Sequence, residues 1–286
     1  MIRPARRDDV TAITAFTQDT FAWGDYVPDR IEAWIDDPDN GLFVFADDDD
    51  HAVAVARAEM LSPNEAWFGA LRVHPDHRGK RIATLLAAVL MDWARDRGSR
   101  VGRLLIEDWN RSSIVHVERI GMRRVGAVSY CERTVGDASP MPGGNGGRRV
   151  PASLRARPAR AAEAEPAFAS WAVGEIGRAS RGLFGSQWKF RLLRPDDLYQ
   201  AAQRGALWEI GTGWAMADMS GTSLEVGWLE VREENADQLI RALVDAATTR
   251  DAEQLVLWLP SLPWLIRAAR KAGCDAEPMS IWEIAL

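Results

Sequence analysis

The stretch from Trp67 to Trp93 limits what this chain can fold into more than any other. It begins as an apolar run, Trp67-Phe68-Gly69-Ala70-Leu71-Arg72-Val73, which reads as a strand. Pro75 stops that run, because it has no N–H to give to a ladder. A basic turn follows, Arg78-Gly79-Lys80-Arg81. Then Ile82, Leu85, Leu86, Val89, Leu90 and Trp93 recur at helical spacing, so a helix starts at or just after Gly79. Strand, basic turn and helix N-terminus in that order make an anion site. Free N–H groups and the positive end of the helix dipole converge on the turn. A pyrophosphate matches that chemistry.

The run Val73-x-Pro75-x-x-Arg78-Gly79-x-x-Ile82-Ala83 resembles the coenzyme A loop of the GCN5-related N-acetyltransferases (GNAT family). In that pattern Gln or Arg is followed three residues later by Gly, and two after that by Gly or Ala. Arg78 and Ala83 fit; Arg81 stands where the middle Gly is usual. The resemblance implies acetyl-CoA as cosubstrate and no metal. It places Leu71, Val73, Arg78, Gly79, Lys80, Arg81, Ile82, Ala83 and Thr84 against the cosubstrate. It also implies that a backbone N–H at or beside Val73 polarises the thioester carbonyl. Asn110-x-x-Ser113-x-x-His116-Val117-x-x-x-Gly121-Met122 is similar to a second family pattern. Asn110 is expected to touch the pantetheine arm or to cap a helix. Val117 replaces the Tyr that often serves as general acid, which leaves Tyr26, His116 or water.

The rest of the chain supplies the frame. Elements in the order β-α-α-β-β-β-α-β-α-β-β run through residues 1–134, with two final strands expected between Met122 and Arg133. Residues 136–150, rich in Gly and Pro, read as a linker. The second half replays the first: Arg157-Pro158-Ala159-Arg160 mirrors Arg3-Pro4-Ala5-Arg6, and Val226 to Val231 stands where Phe68 to Val73 stood. The replay fails after Val231, where Arg232-Glu233-Glu234-Asn235 carries carboxylates that repel a pyrophosphate. The expected fold class is therefore α/β, a mixed α+β sheet, in two tandem GNAT-like folds with the second degenerate. The expected division is a catalytic domain at 1–135, the linker, and a domain at 151–286 without the coenzyme A loop. The tryptophans of the second half, Trp188 included, are expected in its core.

Bulk properties narrow the partners. A net charge of -6 argues against nucleic acid and a membrane surface, and no apolar run approaches the ~20 residues that span a bilayer. Cys131 and Cys274 make no disulfide framework. The N-terminus does not read as a signal peptide, so a cytoplasmic protein, monomer or homodimer, is expected.

Acetyl transfer to an amine needs a base, and the sequence offers several carboxylates. Glu65 opens the strand that ends at Val73 and is the first choice; Glu59, Glu107 and Asp108 end neighbouring strands, and His74 and His116 follow. Trp23-Gly24-Asp25-Tyr26 falls in the segment that usually walls the acceptor pocket in this family. With Trp23 and Tyr26 flanking Asp25, that loop suits a cationic amine. Together with Pro28, Trp34 and the strand ending Leu71-Arg72-Val73-x-Pro75, it is loosely similar to histidine N-acetyltransferase-like members. The expected function is N-acetylation of a small primary amine or amino acid in a ternary complex. The alternative is a non-catalytic acyl-CoA sensor.

Overall fold

The structure is a computed structural model, and it describes residues 1–21, 24–136 and 156–286. Most of the expected linker, and Trp23, lie outside the described residues. The chain divides into two compact units that interleave in sequence. The first comprises residues 1–104, 110–123 and 282–286; the second comprises 105–109 and 124–281. The sequence reading placed its boundaries elsewhere, at 135 and 151.

In the first unit the strands β1 (Ile2–Pro4), β2 (Asn40–Ala46), β3 (Ala52–Ser62), β4 (Glu65–Val73) and β5 (Val101–Glu107) lie in that order. Helices α1 (Val10–Thr17) and α2 (Val27–Asp36) cover one face. Ile13, Val27 and Ile31 pack there on Leu42, Val44, Val55 and Ala70. Alternation along β2 turns Gly41 to the other face. There α3 (Ile82–Asp96) comes so close that a Cβ on Gly41 would lie 2.6 Å from the Trp93 ring. Helix α4 (Arg111–Arg119) follows β5.

In the second unit β6 (Arg123–Thr134), β13 (Gln254–Pro260), β12 (Ser223–Glu230), β11 (Gly213–Ser220), β10 (Leu207–Ile210) and β7 (Arg157–Pro158) are neighbours in that order. Around them run α5 (Ala164–Val173), α6 (Glu175–Ala179), α7 (Pro195–Gln203), α8 (Ala236–Thr249) and α9 (Pro263–Lys271). A separate hairpin joins β8 (Leu183–Ser186) to β9 (Lys189–Leu192). The last strand, β14 (Asp275–Ala285), ends in the first unit, where the Leu286 amide donates to the Arg100 carbonyl at 3.0 Å.

Two corrections follow. Residues 123–134 form one strand, not two, and it pairs antiparallel with β13 in the second unit, Tyr130 opposite Trp258. Trp188 is 47% exposed, not a core residue. The internal repeat has a physical signature. Arg3 donates to the Asp9 carboxylate, which also accepts the Arg6 amide; Arg157 donates to the Glu163 carboxylate, which also accepts the Arg160 amide. Cys131 and Cys274 are free, buried thiols.

Candidate active site

β4 and β5 run parallel and pair only at Glu65–Val101, Ala66–Gly102 and Trp67–Arg103. Among the described residues, the edge of β4 away from β3 has no strand partner beyond Trp67. Its other edge carries a bulge: Ala70 and Leu71 together oppose Ala56, and Ala70 takes φ +53°. A bulge withdraws one backbone group from the ladder and re-aims it. An ideal Cβ built on Gly69 meets nothing within 4 Å, so this stretch faces open space.

The turn after β4 is built from backbone. The His74 amide donates to Val53, and the amides of His77 and Arg78 close a 3-10 turn on His74 and Pro75. Then Gly79 and Arg81 both take positive φ, +78° and +61°. The amides of Thr84 and Leu85 both return to the Arg81 carbonyl. Among the described residues, the five successive amides from Gly79 to Ala83 donate to no protein acceptor. Left-handed residues among successive amides make a concave anion cradle, and the α3 dipole adds to it. Open space around Gly79 means that its φ, not crowding, calls for glycine. Arg81 holds the left-handed position at a cost of about 1–2 kcal/mol. It departs from the family pattern in residue type while keeping the conformation that a glycine supplies. The Arg78 Nε donates to the Val73 carbonyl at 3.2 Å, which ties the turn to the strand end. Asn110 caps α4, its Oδ1 accepting from the Ser113 amide at 3.2 Å and from Ser112 at 3.0 Å.

The acid–base candidates fare differently. Glu65 is buried, and its carboxylate accepts from Arg103 and from Ser62 Oγ. It sits where β4 is still paired with β5, eight residues from Val73, or roughly 26 Å along the strand. A carboxylate locked to a buried guanidinium at the closed end is a structural ion pair, which corrects its reading as the base. Asp25 is also spoken for. Its side chain has no exposure and accepts from Arg72 Nε at 2.6 Å and Nη2 at 3.2 Å. The Arg72 guanidinium lies over the rings of Phe21 and Tyr26, 5.1 and 5.4 Å from their centroids. The acid and the aromatic ring that suited a cationic substrate thus hold the chain's own arginine. Tyr26 itself is 44% exposed and edge-on to Trp34. Glu59 bonds Arg57, which stacks on Trp34. Asp108 belongs to the second unit, accepting from Ser280 and from Arg124 at 3.3 Å. Val117 is buried, and burial, then Arg119, lowers the His116 pKa. Sequence reasoning missed Arg72 and the bulge. A charged residue inside the apolar run was a visible signal for the first; nothing in Gly69-Ala70-Leu71 announced the second.

The second unit answers the same design with different chemistry. β12 pairs in parallel with β13 from Ser223 to Val226 only. Against the opened segment lies the β8–β9 hairpin, and a Cβ on Gly227 would fall 1.7 Å from the Gly185 carbonyl oxygen. What remains is a cavity of about 20 Å³ lined by Trp171, Gly227, Trp228 and Trp258, the size of a single water. The turn before α8 has no left-handed residue, and the amides of Asn235 and Ala236 fold back onto Arg232 and Glu233.

Comparison with known proteins agrees with this architecture. Residues 10–122 match the acetyltransferase (GNAT) family. Those residues form a domain of that family. Solved structures extend the likeness over both units. A GCN5-related N-acetyltransferase from Sphaerobacter thermophilus is 16% identical, with 100% of this chain and 95% of that one covered at a TM-score of 0.68. A tandem GNAT protein from the clavulanic acid biosynthesis pathway is 13% identical, covering 100% and 98% at 0.58. A GCN5-related N-acetyltransferase from Kribbella flavida is 16% identical, covering 100% and 71% at 0.51. At these identities the structures establish the fold: mixed α/β, in a tandem GNAT arrangement. No curated protein sequence matches the chain. Among the described residues no helix is long and apolar enough to cross a membrane, and no cluster of three or more His, Cys, Asp or Glu is placed to hold a metal ion.

Proposed function

We propose that the first unit transfers an acetyl group from acetyl-CoA to a small primary amine or amino acid, by direct attack in a ternary complex. The observation that carries this reading is the row of five unsatisfied amides from Gly79 to Ala83 beside Arg78 and Lys80. A pyrophosphate accepts from those amides, and the two cations offset its charge. The pantetheine arm, itself a chain of amides, pairs with the free edge of β4 beyond Trp67, as an added strand does. Its thioester then reaches the bulge at Ala70 and Leu71. A backbone N–H there or at Val73 donates to the oxygen as the carbonyl becomes an oxyanion.

The amine must attack as the neutral form. The carboxylates of the first unit considered as bases, Glu59 and Glu65, and the loop acid Asp25 each have an arginine partner. Proton loss to solvent before attack fits this arrangement best. The leaving thiol needs little help, and we take Tyr26, exposed beside Arg72, as the side chain to give it. Thiol release should therefore appear with acetyl-CoA and an amine panel, with kcat/KM climbing with pH up to the acceptor's own pKa. A plateau near pH 5–6, set by an enzyme carboxylate, would contradict the solvent route.

The same three ion pairs favour a second reading, a non-catalytic acyl-CoA sensor. Thermal stabilisation by acetyl-CoA with no thiol release across the panel would select it. No stabilisation at all would sink both.

A further inference from the structure

The second unit carries a patch that the acetyl-transfer reading does not use. Its register sets it out. Tyr130 lies opposite Trp258, and two residues along, Glu132 and Glu225 lie opposite Val256 from its two sides. These residues share one face of β6, β13 and β12. With strands about 4.8 Å apart, the Cα atoms of Glu132 and Glu225 stand roughly 10 Å apart on either side of the buried Val256. The wall is aromatic. Trp188, at the tip of the β8–β9 hairpin, stacks on Tyr130 at 4.8 Å and meets Trp258 edge-on at 5.0 Å. Its ring remains 47% exposed.

Among the described residues the charges here have no internal counterion. Glu132 accepts from the Tyr130 hydroxyl at 2.9 Å. Glu225 accepts from the Gln187 amide and from Trp258 Nε1, at 2.6 and 2.7 Å. A third carboxylate, Glu277, accepts from Trp109 Nε1 at 2.6 Å. None of the three is ion-paired among the described residues. Burial first, then Glu132, Glu225 and Glu277, raise the Tyr130 pKa. Several other shielded acids of the chain are paired with arginine, Asp9 with Arg3, Asp25 with Arg72, Glu65 with Arg103 and Asp197 with Arg191, while Glu230 accepts from Ser170. Here three half-buried carboxylates without an arginine partner gather about Tyr130, on which the exposed Trp188 stacks.

We propose that this face of the second unit binds an organic ammonium group against the exposed ring of Trp188, in the field of Glu132 and Glu225. An ammonium fits where a hydrated metal ion does not, because the aromatic wall offers a quadrupole and no lone pairs. The site is separate from the coenzyme A cradle, so it stands or falls independently of acetyl transfer.

Calorimetric titration of the full chain with tetramethylammonium, and separately with butylammonium, tests it without acetyl-CoA present. Saturable binding in the millimolar range is expected for at least one. Trp188→Ala, an exposed position, should weaken it tenfold or more, and Glu132→Gln by three- to tenfold, with unchanged thermal unfolding as the control for folding. The neutral isostere 3,3-dimethyl-1-butanol should not bind. No saturable binding of either cation, equal affinity in Trp188→Ala, or equal binding of the neutral alcohol would overturn the proposal. Binding of magnesium with an affinity indifferent to Trp188→Ala would reduce the patch to an unspecific acidic surface and overturn it as well.

Discussion

Gly69 and Gly227 occupy the same place in the two halves of the chain, each the fifth residue of its strand, β4 and β12. Around Gly69 an ideal Cβ finds nothing within 4 Å; around Gly227 it would collide with the Gly185 carbonyl. Both strands leave their parallel neighbour at this point, Trp67 in one unit and Val226 in the other. One unit keeps the opening, and the other fills it with a hairpin of its own. The turns that follow differ in the same sense. Gly79 and Arg81 hold left-handed conformations beside five amides that have no acceptor among the described residues, whereas in residues 232–236 no residue is left-handed, the amides of Asn235 and Ala236 fold back onto Arg232 and Glu233, and Glu233 and Glu234 bring negative charge. The two copies share a scaffold, and under the proposed function a few backbone angles and one hairpin decide which copy offers a site.

The comparison breaks most visibly at the cradle. Arg78→Glu with Lys80→Glu should weaken acetyl-CoA binding by 100-fold or more in a calorimetric titration, because two attractions become two repulsions beside the pyrophosphate. Charge reversal at Glu233 and Glu234 should leave that affinity within twofold. The glycines come next. Gly227→Ala drives a Cβ into backbone and should cost several kcal/mol, in the range of core overpacking, measured by denaturant unfolding. Gly69→Ala should cost less than about 1 kcal/mol by the same measure. Equal losses would deny that one opening is filled and the other free. Arg81→Gly, which removes the left-handed penalty, should stabilise the fold by about 1 kcal/mol.

The smallest effect concerns pH. Burial lowers the folded pKa of His116 below its ordinary value, so the unfolded chain binds the proton more readily. Its contribution to stability is present above about pH 6.5 and is lost as pH falls through the folded pKa. His116→Gln should flatten the decline in melting temperature below pH 6.5; an unaltered decline would assign it elsewhere.

How far the sequence could be read follows from what each feature depends on. The turn at 78–83 was legible because a strand, a proline, a glycine and a helical period are all local signals. The duplication was legible from Arg3-Pro4-Ala5-Arg6 and its copy. The pairing of β6 with β13 was not, since a strand's partner is a tertiary choice and Val128-Ser129-Tyr130-Cys131 looks the same beside either neighbour. Glu65 misled because strand ends attract carboxylates both for chemistry and for ion pairs, and only the proximity of Arg103 decides. Asp25 misled in the same way: aromatic rings around an acid imply a cation, and the cation proved to be Arg72. The hairpin tip escaped notice because Gln187 and Trp188 both take positive φ, +48° and +66°, without a glycine or asparagine to announce it.

The central claim is that one half of a duplicated fold holds the cosubstrate site and the other has closed its own. The stoichiometry of acetyl-CoA binding to the full chain tests it most directly. The structure predicts one site per chain by calorimetry, retained when Glu233 and Glu234 are reversed and lost with Arg78→Glu and Lys80→Glu. Two sites per chain, or a single site that survives the Arg78 and Lys80 reversals, would contradict it.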